Sequence, residues 1–120
     1  MGVDVEKIRT FRGCERLAMR FFAADEQEYI FAVKGDNERA ERFTKIWTLK
    51  ECYLKYLGSG LSESLESFSA DAYTGKIKES SGKIIAGVNT ETFSLDGEYI
   101  LSVCGNEDNI FMKTVSEQEL

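Results

Sequence analysis

The chain contains no histidine, no proline, only three cysteines and a single tryptophan among 120 residues. Without histidine, Ser-His-Asp and Cys-His nucleophile systems are excluded, and so is any histidine-ligated metal. Acid–base chemistry must rest on carboxylates, lysines or water. Cys14, Cys52 and Cys104 are odd in number and far apart, which fits reduced thiols rather than a disulfide framework or a zinc site. No run approaches the ~18 apolar residues of a membrane span, and the N-terminus has no apolar core of a signal peptide. A cytoplasmic protein without a membrane partner is expected. No repeat, linker or low-complexity segment interrupts the chain.

What is present describes one soluble globular domain over residues 1–120, with 42% hydrophobic and 30% charged residues. The net charge of −6 argues against a nucleic-acid partner, which needs a basic surface. The charge is unevenly placed. Lys7, Arg9, Arg12, Arg16 and Arg20 stand against the single acid Glu15, while the tail after Asn106 is mainly acidic. The basic segment suits an acidic partner or a phosphate-bearing ligand as well as it suits a solvated helix face.

Residues 2–6 read as a strand, and 13–22 and 25–34 as two helices. Leu17, Phe21 and Phe22 form the stripe of the first; Tyr29, Ile30 and Val33 that of the second. Asp25 is expected to cap the second helix, with Glu28 completing a capping box. A long helix follows Gly35 and ends near Leu57, where Gly58 stops it. Beyond Phe68 the pattern changes to short strands: 68–73, 83–88, 91–95, 99–103 and 110–115. Thr74-Gly75 begins a turn, and Asp96-Gly97 gives a hairpin signal. Helices early and strands late predict an α+β fold, with helices packed on a small antiparallel sheet. Phe21, Phe22, Phe31, Phe43 and Trp47 read as core.

Two acidic segments carry the chemistry. In Gly2-Val3-Asp4-Val5-Glu6, residues two apart share a strand face about 6–7 Å apart. Asp4 and Glu6 therefore project together, with Val3 and Val5 expected to face the core. In Trp47-Thr48-Leu49-Lys50-Glu51, which lies on the long helix, Glu51 and Lys55 are neighbours at i,i+4. A hard divalent cation takes oxygen ligands and leaves places for water and phosphates, and nearby lysines suit a phosphate-transfer site. Taken alone, the first segment reads more readily as an ordinary half-exposed strand and the second as a solvated helix face.

In order along the chain, these segments resemble the signature of the 4′-phosphopantetheinyl transferases. That family has an apolar-Gly-apolar-Asp-apolar-Glu strand followed by Trp/Phe-x-x-Lys-Glu-(Ala/Ser)-x-x-Lys, here Trp47 to Lys55 with Cys52 at the small position. Between them, Arg20-Phe21-Phe22-Ala23-Ala24-Asp25-Glu26 resembles the family's Arg-Phe-Phe-x-x-x-Glu. After them, Gly58-Ser59-Gly60-Leu61-Ser62 resembles its Gly-x-Gly-Leu-Ser turn. The wording is similar to the second half of the larger, surfactin-synthetase-activating type. In that type two similar halves build one site at their junction. The chain is thus expected to be a fragment or a short relative, and to work as a homo-oligomer or with a partner half.

The resemblance implies transfer of the 4′-phosphopantetheine arm of coenzyme A to a serine of an apo acyl or peptidyl carrier protein. It implies Mg²⁺ as cofactor, with Asp4, Glu6 and Glu51 as its ligands. Glu51, directly or through a water, is expected to draw the serine proton. Lys55, and with it Lys50, is expected to bind the transferring phosphate, Lys55 also serving as a catalytic residue. Glu26 matches a family acid near the site. Two readings compete: a non-catalytic half that binds metal and a carrier protein or partner chain, and a different Mg²⁺ enzyme acting on nucleotide phosphates.

Overall fold

A computed structural model describes residues 1–58 and 64–106. The expected strand at 110–115 and most of the Gly58-to-Ser62 turn lie outside them. The elements are β1 (Gly2–Lys7), α1 (Glu15–Phe21), α2 (Ala24–Phe31), α3 (Asp36–Leu57), β2 (Phe68–Ala70), β3 (Ile77–Glu79), β4 (Asn89–Leu95) and β5 (Tyr99–Gly105). A 3-10 turn at Phe11–Gly13 leads into α1. The fold is α+β, as the order of patterns predicts.

The central helix, α3, is 22 residues long. Asp36 and Glu38 stand in its first turn and Lys55 in its last, each favourable to the helix dipole. Gly58 ends it in the left-handed region (φ 73°), where its N–H reaches the carbonyls of Leu54 and Lys55. One face of α3 packs on a three-stranded antiparallel sheet ordered β1-β5-β4. Gly2 pairs with Cys104, Asp4 with Ser102, and Ser102 in turn with Thr92. This row is closed by hydroxyls, with Thr48 Oγ1 of α3 at 2.7 Å from Ser102 Oγ and Thr92 Oγ1 at 3.2 Å. Cys52 and Cys104 are buried free thiols between α3 and β5, and the contact with Cys104, with burial second, pushes Cys52 up.

The period of β1 is as predicted but its buried face is the opposite one. Val3 and Val5 are 39% and 52% exposed, whereas Asp4 is 6% exposed and faces α3. Gly2 makes this possible. A Cβ there would lie 2.0 Å from the Cys52 carbonyl oxygen and 2.4 Å from the Tyr56 nitrogen, so only glycine lets the strand come so close.

The aromatic cluster packs as core around Phe22, which stacks on Phe43 at 5.2 Å, with Trp47 alongside. Leu17 is exposed, and Cys14, Ala18 and Phe22 form the buried stripe instead. Helix α2 starts one residue before Asp25. Its N-terminus is closed by Glu26, whose Oε1 accepts from the Ala23 N–H at 2.8 Å, and not by an Asp25–Glu28 box.

The late strands differ in part from expectation. β2 stops at Ala70 because Asp71 turns the chain, accepting from the N–H groups of Tyr73 and Thr74. β2 then pairs with β3, a strand too short and too polar to show a pattern. The segment 83–88 is not a strand; it makes a single bridge, Lys78 to Ile84. The Asp96-Gly97 hairpin forms as read. Both residues have positive φ (55° and 69°), and Glu98 donates back to Leu95 O at 3.0 Å.

Candidate active site

The end of α3 and the inner face of β1 bring four charged side chains into one corner. Asp4 comes from the buried row of β1 and Glu6 from two residues on, half-buried. Glu51 and Lys55 come from adjacent turns of α3. Lys55 Nζ donates to Asp4 Oδ1 at 2.9 Å, with the lysine side chain 54% exposed. Asp4 Oδ2 is buried and has no hydrogen-bond partner among the described residues.

The electrostatics show how close the acids are. Burial raises the Glu51 carboxyl above its ordinary value, and the charges of Asp4 and Glu6 raise it further, opposed by Lys55. The hydrogen bond to Asp4 holds the Lys55 ammonium above the usual lysine range. Among the described residues, no three of His, Cys, Asp and Glu are already gathered as a cation cage. A cation nevertheless fits the donors that are here. Three carboxylates share one field, one buried oxygen lacks a partner, and every donor is the hard oxygen that Mg²⁺ prefers.

Lys50 stands elsewhere, and its expected contact with substrate does not match its place. Its side chain has no exposed surface. Nζ donates to Glu26 Oε1 and to Phe68 O, each at 2.8 Å, and lies about 5 Å from the rings of Phe22 and Phe68. Glu26 is equally buried. Its Oε2 accepts from the Ala70 N–H at 2.7 Å, and Oε1 serves both Lys50 and Ala23. Burial pushes Glu26 up and Lys50 down, while their mutual attraction opposes both shifts. The pair joins α2, α3 and β2 at one buried point. The family resemblance puts Glu26 near the site without a role; its place six positions after Arg20 carries no sign of its partner.

Beside Glu6, a cleft of about 240 Å³ opens between the end of β1 and α1. Trp47, Phe43, Leu17 and Cys14 form its apolar wall, with Lys7 and Arg9 at its rim. Arg12, Arg16 and Arg20 are exposed along the neighbouring helix and turn, with Met19 61% exposed among them.

Comparison with known proteins identifies the family. The family model of the 4′-phosphopantetheinyl transferase superfamily matches residues 1–104. A 4′-phosphopantetheinyl transferase of Bacillus subtilis is 33% identical over 124 aligned residues, covering 98% of this chain and 53% of that protein. The 4′-phosphopantetheinyl transferase Sfp of B. subtilis strain 168 is 30% identical, covering 87% of this chain and 46% of that protein. The chain spans about half the length of the curated relatives it matches. The holo-[acyl-carrier-protein] synthase of Thermotoga maritima superposes with a TM-score of 0.58 over 88% of this chain and 62% of that one, at 22% identity, a likeness of fold. Matched over residues 1–104, the stretch that holds Asp4, Glu6, Glu51 and Lys55, the chain belongs to the 4′-phosphopantetheinyl transferase superfamily.

Proposed function

We propose that this chain transfers the 4′-phosphopantetheine group from coenzyme A to a serine hydroxyl of a carrier protein, with Asp4, Glu6 and Glu51 holding Mg²⁺. The observation that carries this reading is the corner where Asp4, with one orphaned buried oxygen, meets Lys55 and a Glu51 whose carboxyl is raised by burial and by the charges of Asp4 and Glu6. Such a corner is built to be neutralised by cations, and the reaction supplies a pyrophosphate that needs the same. When bound, Mg²⁺ would offset charge on the phosphate oxygens.

The side chains divide the remaining work. The serine oxygen attacks the β-phosphate of coenzyme A, and the bond to the bridging oxygen breaks. Glu51 takes the serine proton, directly or through one water that it orients. Lys55, long and half-exposed, reaches the transferring phosphate and offsets the charge that appears on departing adenosine 3′,5′-bisphosphate. Lys50 acts by holding the segment that carries Glu51, through Glu26 and Phe68 O.

The partners follow from the surface. An acidic carrier protein suits the exposed arginines 12, 16 and 20 with Leu17 and Met19, despite the acidic net charge of the chain. The outer face of the three-stranded sheet presents Val3, Val5, Leu95 and Tyr99. Such an apolar face is suited to a second copy or a partner half that completes the coenzyme A site. Free buried thiols and the coenzyme A substrate favour a cytoplasmic setting. Among the described residues, no helix is long and apolar enough to cross a membrane.

The test is direct. Purified chain with Mg²⁺ and coenzyme A is expected to add about 340 Da, one phosphopantetheine group, to an apo carrier protein. Light scattering in parallel reports self-association. A folded chain that binds Mg²⁺ but transfers nothing, alone or as an oligomer, would favour the non-catalytic half, a reading that its span of about half its relatives keeps open.

A further inference from the structure

Asp4 is held unequally. Its Oδ1 accepts from Lys55 at 2.9 Å, while Oδ2, also buried, has no partner among the described residues. A buried carboxylate oxygen left unsatisfied costs free energy, so this side of Asp4 is open to a further donor or cation. Lys55 is committed to Asp4 only at its tip. It reaches down from the last turn of α3, and its side chain is 54% exposed. Holding the pair costs the half-exposed lysine rotamer freedom, so its ammonium is the more easily released partner.

We propose that Lys55 is a placeholder cation: in the metal-free chain its ammonium neutralises Asp4, and a divalent ion loading onto Asp4 displaces it outward toward the substrate phosphate. This inference rests on the metal reading above and adds an order of events to it. An ion bound at Oδ2 would stand within a few ångströms of the ammonium at Oδ1. Like charges at that distance repel, and the carboxylate they share attracts each less. The ammonium is the partner free to leave, since α3 lets it swing into solvent. Metal loading and phosphate capture are thereby coupled: Lys55 is free for the phosphate only when the metal has taken its place. The contact also keeps buried Asp4 compensated in the absence of metal, so the corner does not come apart when empty.

The test uses Mn²⁺ as the probe on the 120-residue chain, with free ion counted by electron paramagnetic resonance. Parent, Lys55→Met, Lys55→Gln and Lys7→Met are compared. Both Lys55 variants are expected to bind Mn²⁺ about three- to tenfold more tightly than the parent, since no ammonium must be displaced. They are also expected to melt lower than the parent without metal and to gain a larger thermal shift with it. Lys7 is exposed at the end of β1, the strand that carries Asp4, and among the described residues it makes no ion pair with Asp4. Its removal takes the same charge from the surface and is expected to change affinity less than about twofold. Equal or weaker binding by the Lys55 variants, or equal tightening in Lys7→Met, overturns the exchange and leaves the metal site standing. Absence of Mn²⁺ binding in every form, the parent included, overturns the metal reading and the exchange with it. The lysine is half-exposed, so neither Lys55 variant threatens the core.

Discussion

Removing Glu26 should unfold this protein more readily than removing any residue of the proposed active site. Glu26→Ala takes away the acceptor for Lys50 Nζ and for two backbone N–H groups, those of Ala23 and Ala70. Lys50 would be left with no exposed surface, no counter-charge in contact among the described residues, and the Phe68 carbonyl and the rings of Phe22 and Phe68 around its ammonium. Breaking a buried pair by deleting one partner costs about 3–5 kcal/mol, because the survivor is an uncompensated buried charge. A domain of this size has roughly 5–15 kcal/mol in all. At about 3–5 °C per kcal/mol, the midpoint should fall by roughly 10–20 °C. Lys50→Met should cost less, since Glu26 keeps two N–H donors and can take up a proton. The double variant Glu26→Gln with Lys50→Met should recover much of the loss, because a neutral amide can still accept from Ala70 and donate to Phe68 O. Thermal and urea unfolding followed by circular dichroism, arranged as a double-mutant cycle, measures each step. Stability within about 1 kcal/mol of the parent for Glu26→Ala would refute the reasoning. So would a Lys50→Met protein with parental stability and no transfer, which would put Lys50 on the substrate.

Three further outcomes are expected. Glu51→Gln should lower transfer by on the order of 10²–10³-fold or more, yet melt higher than the parent at neutral pH without metal. The sign follows from the raised carboxyl: folding favours the protonated form, so the stability tied to Glu51 is full below its unfolded pKa of about 4.3 and is lost as pH rises through the folded value. The gain over the parent should therefore vanish in acid, and a variant that melts lower at pH 7 would contradict the burial and repulsion described. Gly2→Val should destabilise by about 1–3 kcal/mol and weaken metal binding together, because its Cβ meets the α3 backbone and pushes Asp4 away; urea midpoints and Mn²⁺ titration report the two effects. Arg16→Glu on the exposed face beside the cleft should raise the KM for an acidic carrier protein with little change in kcat, more at low salt than at high. An unchanged KM at low ionic strength would remove that face from the carrier-protein interface.

Much of the architecture was legible because it is set locally. Gly58 stops α3 by adopting a left-handed backbone that other residues resist, and Asp96-Gly97 turns the chain for the same reason. The acid corner was legible in its membership: alternation puts Asp4 with Glu6, and helical spacing puts Glu51 with Lys55. The small sheet of β2 and β3 was not. Ile77 is the one apolar residue of β3, so its pairing with β2 arises from the turn at Asp71–Gly75 rather than from any pattern of its own.

Periodicity by itself determined which residues lie together, and tertiary packing decided which of those faces is covered. Val3 and Val5 were the natural choice for the core, yet the helix settled over Asp4, because Gly2 lets two backbones touch there. The two lysines make the same point. Lys50 and Lys55 are five residues apart and so about 140° apart around the helix, which the sequence already implies. Only the fold brings Glu26 and the Phe68 carbonyl to one side and Asp4 to the other. One ammonium becomes a buried brace and the other a half-exposed partner of Asp4, because the free energy of a charge depends on the solvent and partners around it, and these belong to the folded chain as a whole.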